Sequence, residues 1–422
     1  MSFIGMGYQI WLVGRIGAGG IGLYQLVMAV GGLAATFAIS GIRFGATRLI
    51  SEEIGLNRGA GIRGAMARCI AYSLFFGLAA WLIMWLIAEP VGFLWVGDAR
   101  TVLSLKIMSF KLPLISLCSV FSGYFTACSR VWKPALIHLI EQITGIVIAA
   151  LLLYYSPAGD IEKNCAAVIT GGVAADGVCL VLMVIAYAGD RRRHALPGEA
   201  GTRQTARMLG IAMPLAVSAY ARSALSTIEH LLVPRGLKSA GYTADGALAG
   251  YGVIQGMVLP IILFPACLLS ALAELIVPEL TKKQLSDSES IPRMVRSLLA
   301  KSFLYSFAVA VFMFIFADKL GLAIYKNAEA GHYIRLLAPL IPIMYTDTAA
   351  DGCLKGLGQQ VWSMGINILD ALLGVILVWF FLPKYALTAY ICIIYFNECL
   401  NFTLSFSRLI RVVKKLKHRK YP

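Results

Sequence analysis

The chain carries charged residues inside a hydrophobic segment at residues 208–234, MLGIAMPLAVSAYARSALSTIEHLLVP. This segment is long enough to cross a bilayer as a helix, but Arg222, Glu229 and His230 interrupt its apolar run. Ser218, Arg222 and Glu229 share one helical face, because their spacings of four and seven residues return to the same side. An arginine at mid-bilayer opposes insertion by about 2.5–3.5 kcal/mol, which offsets several large aliphatic residues. We therefore expect this face to contact other helices or water.

The composition of the whole chain is that of a membrane protein. Its 422 residues are 59% hydrophobic and 14% charged, whereas soluble domains carry about 25% charged residues. The formal net charge of +15 lies in short clusters between apolar runs, which indicates anionic membrane lipids as partners and argues against nucleic acid. The nine cysteines form no CxxC motif and no Cys/His cluster with metal spacing. The sequence therefore predicts neither disulfides nor a metal site.

Twelve apolar segments can be marked along the chain. They are residues 2–14, 21–47, 66–88, 103–128, 134–155, 165–188, 207–233, 247–278, 298–317, 333–354, 361–382 and 386–409. All but the first are long enough to cross the hydrocarbon core, which takes about 20 helical residues. The predicted fold class is an all-α polytopic membrane protein with about 12 transmembrane helices.

The distribution of basic residues predicts the orientation in the membrane. Most of the 37 Lys and Arg residues fall in the loops on one side if both chain ends face the cytoplasm. Because such loops are enriched in basic residues, we expect a multi-pass protein of the bacterial cytoplasmic membrane with both termini cytoplasmic. The basic tail at residues 412–422 is expected to lie among lipid headgroups.

The chain also repeats itself at an offset of 229 residues. The matched pairs are Glu89 with Asp318, Gly92 with Gly321, Pro113 with Pro342, Gly123 with Gly352, Glu141 with Asp370, and Gly145 with Gly374. An even number of helices per half gives both halves the same orientation, which makes this a parallel repeat with the substrate path between the halves. We expect a six-helix bundle at residues 1–190, a basic cytoplasmic linker at 191–206, and a second bundle at 207–411.

The repeat leaves helix 1 shorter than its partner. Residues 2–14 correspond only to the last part of the segment at 207–233, so the counterpart of Arg222 would fall at or before Met1. Either the start has been assigned too late or the chain is a naturally shortened form.

Three runs carry a family resemblance: RIGAGGIGLYQLVMAV at 15–30, SGIRFGATRLISEE at 40–53, and residues 228–280, which begin IEHLLVPRGLKSAGYTADG. They resemble the multidrug/oligosaccharidyl-lipid/polysaccharide (MOP) flippase superfamily, most closely its stage V sporulation protein B-like branch. The resemblance implies an exporter or flippase related in fold to lipid II flippases and multidrug antiporters. The chain departs from this family at Gln9, where relatives often have arginine, and at Glu229, where they usually have aspartate. Members of this branch also often have fourteen helices.

The candidate substrate-binding residues are the deep cations Arg43, Lys111 and Arg222. A lipid-linked saccharide carries an anionic diphosphate, and the arginine fork donates two hydrogen bonds to phosphate at once. We predict that these three residues form a phosphate-binding patch. In the alternative, an acid such as Glu229 neutralises Arg222, and Arg43 extends to the inner membrane face.

The candidate residues for ion coupling are Glu229, Asp347 and Asp351, which would bind H⁺ or Na⁺ or serve as charge partners. Asp351 and Lys355 are spaced i, i+4 on one helix, which predicts a local ion pair. The repeat-related acids Glu141 and Asp370 are interpreted either as gate contacts or as helix-packing bonds.

Prolines and glycines mark places where helices bend or approach. The predicted hinges are Pro260, Pro265, Pro339 and Pro342, each of which removes a backbone hydrogen bond and permits a hinge or a static kink. Gly252 and Gly256 form a GxxxG motif, which permits close helix approach. The chain has no P-loop, no HExxH and no nucleophile elbow, so the sequence predicts no enzyme, no catalytic residue and no cofactor.

The sequence therefore predicts an alternating-access flippase that moves a lipid-linked oligosaccharide or peptidoglycan precursor across the cytoplasmic membrane. Two alternatives stay open at this point. The first is a multidrug or cation antiporter of the same fold, which would need a net acidic cavity. The second is an inactive, truncated copy that acts as a membrane scaffold.

Overall fold

The computed structural model describes residues 2–55, 59–156, 160–191, 204–286 and 288–418. Every regular element within these ranges is helical, and they contain no strand. The all-α prediction is confirmed. Most of the predicted linker, residues 192–203, and the last residues of the basic tail, 419–422, lie outside the described ranges.

The described residues form fifteen α-helices. They are α1 (Ser2–Ile39), α2 (Ile42–Gly55), α3 (Gly59–Pro90), α4 (Thr101–Ser109), α5 (Lys111–Ala127), α6 (Trp132–Tyr155), α7 (Ile161–Arg191), α8 (Gln204–Ser239), α9 (Ala244–Gly252), α10 (Leu259–Leu263), α11 (Ala266–Ser286), α12 (Ile291–Tyr325), α13 (Ala328–Leu337), α14 (Ile341–Gly356) and α15 (Gln360–His418). Short π-helices at Val91–Val96 and Val253–Val258 continue α3 and α9.

Nine helical stretches within the described ranges are long and apolar enough to cross a membrane. The first of them, Ser2–Gly55, consists of α2 and of α1, which is broken at the non-helical residue Gly17 (φ 69°, ψ 178°). The last consists of α15, which is broken at Ala386 (φ 49°, ψ −136°). The pair α13–α14 is a further helical segment, in which Asp347, Asp351 and Lys355 lower the hydropathy. These elements agree with the twelve helices expected from the sequence.

The protein divides into two compact units. Unit 1 consists mainly of Leu23–Thr227, and unit 2 of Met6–Gly22 with Ile228–Pro422. The chain passes from one unit to the other within α1 and again within α8, rather than in the basic loop where the repeat places its boundary. The six-helix bundles at 1–190 and 207–411 remain a prediction about the sequence repeat.

Matching ion pairs in the two units show that the repeat is structural. In unit 1, Lys106 of α4 binds Glu89 of α3, with 2.6 Å between Nζ and Oε1. In unit 2, Arg335 of α13 binds Asp318 of α12. The offset of 229 relates both partners of the first pair to those of the second. Because exposed pairs contribute little free energy, they identify equivalent positions rather than explain stability.

Close contacts at glycines repeat in the same way. A Cβ on Gly92 would lie 2.5 Å from Cγ2 of Val102, and a Cβ on Gly321 would collide with the backbone of Gly331. The offset of 229 relates Gly92 to Gly321 and Val102 to Gly331. Glycine therefore allows the same close approach of neighbouring helices in both units.

Unit 1 buries polar groups beside its apolar core. The hydroxyl groups of Ser73 and Ser116 are 2.7 Å apart and join α3 to α5. Asp190 at the end of α7 is 2% exposed and binds both Arg130 and Lys133, which lie just before and within the first turn of α6. Such pairing is needed because an uncompensated buried charge is costly.

In unit 2, α9 and the π-helix that follows it pack against the part of α1 that belongs to the same unit. A Cβ on Gly252 would collide with the carbonyl oxygen of Ala18, and a Cβ on Gly256 would lie 2.6 Å from Ile21. Gln9 donates a hydrogen bond of 2.9 Å to the carbonyl oxygen of Gly256. The GxxxG motif thus permits the close approach that was expected of it.

The four predicted hinge prolines lie at the ends of helical segments in unit 2. Pro260 is in the first turn of α10, and Pro265 separates α10 from α11. Pro339 lies in a 3₁₀ turn, and Pro342 is in the first turn of α14. Proline is tolerated at these positions because the first helical N–H groups have no partner within the helix. Bending at these sites remains a prediction.

We predict that Gly252→Ala destabilises the protein. The added Cβ would also lie 2.8 Å from the backbone nitrogen of Gly22, so the helices must separate at a cost of about 1–3 kcal/mol. Thermal unfolding of the detergent-purified protein measures this effect. Gly365→Ala is the matched control, because a Cβ at this helical position has no atom within 4 Å. Equal unfolding midpoints for the two variants would contradict the packing.

Candidate ion and substrate sites

Lys111, one of the three predicted phosphate-binding cations, is paired with an acid in unit 1. Its Nζ lies 3.0 Å from Oδ2 of Asp176 on α7, and the Asp176 side chain is only 5% exposed. Sequence analysis missed Asp176, since it lies in an apolar run far along the chain from Lys111. This pair uses most of the charge that Lys111 could offer to a substrate.

Arg43 and Arg222, the other two predicted phosphate-binding cations, differ from Lys111 in their exposure and ion pairing. Arg43 is the second residue of α2, Arg222 lies in the middle of α8, and both side chains are exposed. Neither forms an ion pair with a described residue of unit 1. Two of the three predicted cations therefore keep an uncompensated charge within their own unit.

A second group of polar side chains in unit 1 comes from α5, α6 and α7. Nδ1 of His138 lies 2.8 Å from Oε2 of Glu141, and 3.9 Å from Sγ of Cys179. The sulfur atoms of Cys118 and Cys179 are 3.8 Å apart. The sequence predicted no metal site, because it shows no cluster of cysteines and histidines with metal spacing along the chain. These side chains approach one another across three helices instead. Glu141, predicted as a gate or packing residue, bonds within its own helix.

Unit 2 gathers four carboxyl groups from three helices. Glu229 on α8 faces Asp370 on α15, and Asp347 on α14 faces Asp370 as well. Glu398 on α15 interacts with both Asp347 and Asp370. We call Glu229, Asp347, Asp370 and Glu398 the acidic cluster. None of its four members forms an ion pair within the described part of unit 2.

The acidic cluster is partly buried and leaves polar atoms without partners among the described residues. A Cβ on Gly374 would lie 3.0 Å from Oε2 of Glu229 and 2.8 Å from Nδ2 of Asn397, so a larger residue there would displace these side chains. One oxygen each of Asp347, Asp370 and Asn397 is buried without a hydrogen bond to the described residues. Buried oxygens that lack a donor can bind a proton or a hard cation such as Na⁺.

Asp351 lies beside the acidic cluster and is already neutralised. Its Oδ2 is 2.6 Å from Nζ of Lys355, which confirms the i, i+4 ion pair expected from the sequence. Its Oδ1 also accepts a hydrogen bond from Ser363. Of the three predicted coupling acids, Asp351 is therefore the least available to bind an ion.

The polar clusters of the two units occupy equivalent places in the repeat. The offset of 229 relates Cys118 to Asp347, Glu141 to Asp370, and Asp176 to Ser405. Ser405 is also part of its cluster, because it hydrogen-bonds Asp347. These three positions therefore carry two carboxylates and a hydroxyl in unit 2, and a thiol and two carboxylates in unit 1.

Comparison with known families agrees with this fold. The profile of the polysaccharide biosynthesis protein family matches residues 2–271. The chain belongs to this family. The profile of the MatE family matches residues 238–380, and both lie in the MOP flippase superfamily expected from the sequence. The protein is therefore a multi-pass membrane protein from a superfamily of transporters and flippases.

Known relatives of this polysaccharide biosynthesis family member cover most of its length. Stage V sporulation protein B of Bacillus subtilis (strain 168) is 21% identical over 366 residues, or 85% of this chain and 70% of the relative. An inward-facing multidrug resistance MATE transporter has a TM-score of 0.74 and 14% identity, covering 100% of this chain and 96% of that one. The inward closed lipid II flippase MurJ has a TM-score of 0.74 and 12% identity, covering 99% and 88%. These two structures share the fold.

We predict that Lys111→Met destabilises the protein because it leaves Asp176 buried without its cation. The expected loss is about 3 kcal/mol, at the low end for a broken buried pair because the Lys111 side chain is 28% exposed. The double variant Lys111→Met/Asp176→Leu should regain most of this loss, since both charges are then absent. Thermal unfolding in detergent measures both, and a double variant less stable than the single one would contradict the pairing.

Proposed function

We propose that the protein is a flippase that moves a lipid-linked oligosaccharide or peptidoglycan precursor outward across the cytoplasmic membrane by alternating access. The observation that carries this proposal is that Arg43 and Arg222 are exposed and have no acid partner among the described residues of unit 1. An arginine deep in a membrane protein needs a counter-charge, and the diphosphate of such a lipid provides one. Its planar fork matches phosphate oxygens in a bidentate way.

The relatives support a cargo from the cell envelope. The family profile that covers most of the chain is that of polysaccharide biosynthesis proteins. The curated relative described above is a sporulation protein, and one protein of the same fold is a lipid II flippase. A bacterial cytoplasmic membrane, with both termini on the cytoplasmic side, is the location that fits this cargo and the distribution of basic residues.

The acidic cluster of unit 2 supports coupling to a cation. Four carboxyl groups within one unit cannot all stay ionised and unpaired among membrane helices, because the free-energy cost of burying their charge is too high. Binding of H⁺ or Na⁺ neutralises the cluster, and release of the ion restores its charge. The sequence contains no nucleotide-hydrolysis motif, so an ion gradient is the proposed driving force.

A multidrug or cation antiporter is the second candidate function. The acidic cluster favours it, because such a transporter needs negative charge for its cargo, and a multidrug transporter shares the fold. Arg43 and Arg222 count against it, since unpaired cations repel a cationic drug. The lipid-linked saccharide accounts for both sets of charges, as the cations bind the cargo and the acids bind the coupling ion.

We predict that Arg222→Ala reduces translocation of a fluorescent lipid-linked saccharide in proteoliposomes at least about tenfold. The estimate assumes the loss of one charge-assisted bond to phosphate, which contributes about 1.5–3 kcal/mol. Arg222→Lys should retain part of the activity, because it keeps the charge and loses the fork.

Arg43→Ala tests the second arginine of the proposed phosphate site, and Arg48→Ala is its matched control. Both residues lie on α2, but Arg48 forms an exposed ion pair with Glu52. Arg43→Ala should slow translocation and Arg48→Ala should not. Arg222→Ala protein that inserts and still flips the saccharide at the normal rate would refute the phosphate site.

We predict that Asp370→Asn makes transport insensitive to the ion gradient. The amide cannot be ionised, so the acidic cluster loses the group that interacts electrostatically with Glu229, Asp347 and Glu398. Transport is measured in vesicles with an imposed proton gradient, an imposed sodium gradient, or neither. Glu329→Gln, an exposed residue in the first turn of α13, is the control. A wild-type rate that is equal in all three conditions would remove the coupling role.

A further inference from the structure

His138, Glu141 and Cys179 of unit 1 place three potential metal-ligating atoms within 4.8 Å of one another. Zinc bonds of about 2.0–2.3 Å place two ligand atoms about 3.3–3.8 Å apart in a tetrahedral site. The His138 Nδ1 atom is 2.8 Å from Glu141 Oε2 and 3.9 Å from Cys179 Sγ, which brackets this range. One ion can therefore contact all three atoms after small side-chain rotations.

Cys118 on α5 offers a fourth ligand atom next to Cys179. Its sulfur lies 3.8 Å from that of Cys179. Two thiolates on one tetrahedral zinc are separated by about 3.8 Å when each bond is about 2.3 Å long. Both cysteines are buried, whereas His138 and Glu141 are half-exposed, so the group has an enclosed sulfur side and an accessible side through which an ion can enter.

We propose that His138, Glu141, Cys179 and Cys118 form a binding site for Zn²⁺ within unit 1. Thiolate and imidazole ligands select a borderline-soft ion such as zinc over Na⁺, Mg²⁺ or Ca²⁺, which prefer oxygen. The bound ion joins α5, α6 and α7, which hold the four ligands. It therefore acts as a structural link between three helices.

The charges around the site are suitable for zinc. Two thiolates and one carboxylate exceed the charge of Zn²⁺ by one, and Lys111 interacts electrostatically with Glu141. Asp176 lies next to both Lys111 and Glu141 and holds the lysine in place. Such charged neighbours orient metal ligands.

The internal repeat relates two residues of this site to residues of the acidic cluster in unit 2. Cys118 and Glu141 occupy the positions that Asp347 and Asp370 occupy in the acidic cluster of unit 2. At one of these positions a thiol in unit 1 thus replaces a carboxylate in unit 2, and at the other both units keep a carboxylate. The two units of one chain select different ions with the same scaffold.

The test is metal binding by the full chain, purified in detergent, reduced and stripped with a chelator. Added Co²⁺ should give one bound ion per chain and a thiolate-to-cobalt absorption band, and Zn²⁺ should displace it. Cys179→Ser should abolish the band and weaken Zn²⁺ binding by more than the about 10–100-fold typical of losing an outer-shell partner. Cys165→Ser, a buried cysteine on the same helix, is the matched control and should bind like the wild type.

His138→Ala is a second variant that separates metal binding from folding. Because His138 is half-exposed, its loss should leave the protein folded and monodisperse. The variant should still bind Zn²⁺ more weakly than the wild type. The proposal is overturned if the reduced wild type shows no thiolate-to-cobalt band. It is also overturned if Cys165→Ser loses as much affinity as Cys179→Ser, or if the chain takes up Cu⁺ and excludes Zn²⁺. Each readout is independent of transport, so its failure leaves the proposed flippase function untouched.

Discussion

The organisation of both units depends on how charge is neutralised among apolar helices. In unit 1, Asp176 binds Lys111 and the buried Asp190 binds two basic residues, so each deep acid has its own cation. In unit 2, the acidic cluster has no such partner among the described residues. A buried negative charge among membrane helices needs a counter-charge. The proposed coupling of transport to H⁺ or Na⁺ rests on this absence of ion-pair partners in the described part of unit 2.

The internal repeat explains why one scaffold carries two kinds of polar site. Equivalent ion pairs, Lys106 with Glu89 and Arg335 with Asp318, show that both halves keep the same backbone arrangement. At the equivalent interior positions the side chains differ, with Cys118 in one unit and Asp347 in the other. Backbone packing is conserved by glycines that permit close approach, whereas the interior side chains are free to change the chemistry. The proposed ion-coupling site and the proposed zinc site would then differ through side chains at equivalent positions, such as Cys118 and Asp347.

Sequence analysis predicted what depends on local pattern and missed what depends on contacts across helices. Hydropathy and the offset of 229 predicted the helices and the repeat, because both are properties of the linear chain. The ion pair of Asp351 and Lys355 was predictable for the same reason, since one helix sets its geometry. Asp176 and Glu398 were missed, because an isolated acid in an apolar segment gives no sign of which helix it will face. The grouping of Cys118, His138 and Cys179 was missed for the same reason.

The central claim of the proposed function is that Arg43 and Arg222 bind an anionic cargo while the acidic cluster binds the driving ion. It is tested most directly in proteoliposomes that contain the purified protein and either a fluorescent lipid-linked saccharide or a cationic dye, each with an imposed ion gradient. The account predicts gradient-dependent translocation of the saccharide and no transport of the dye. Transport of the dye, with the saccharide left in its original leaflet, would contradict it.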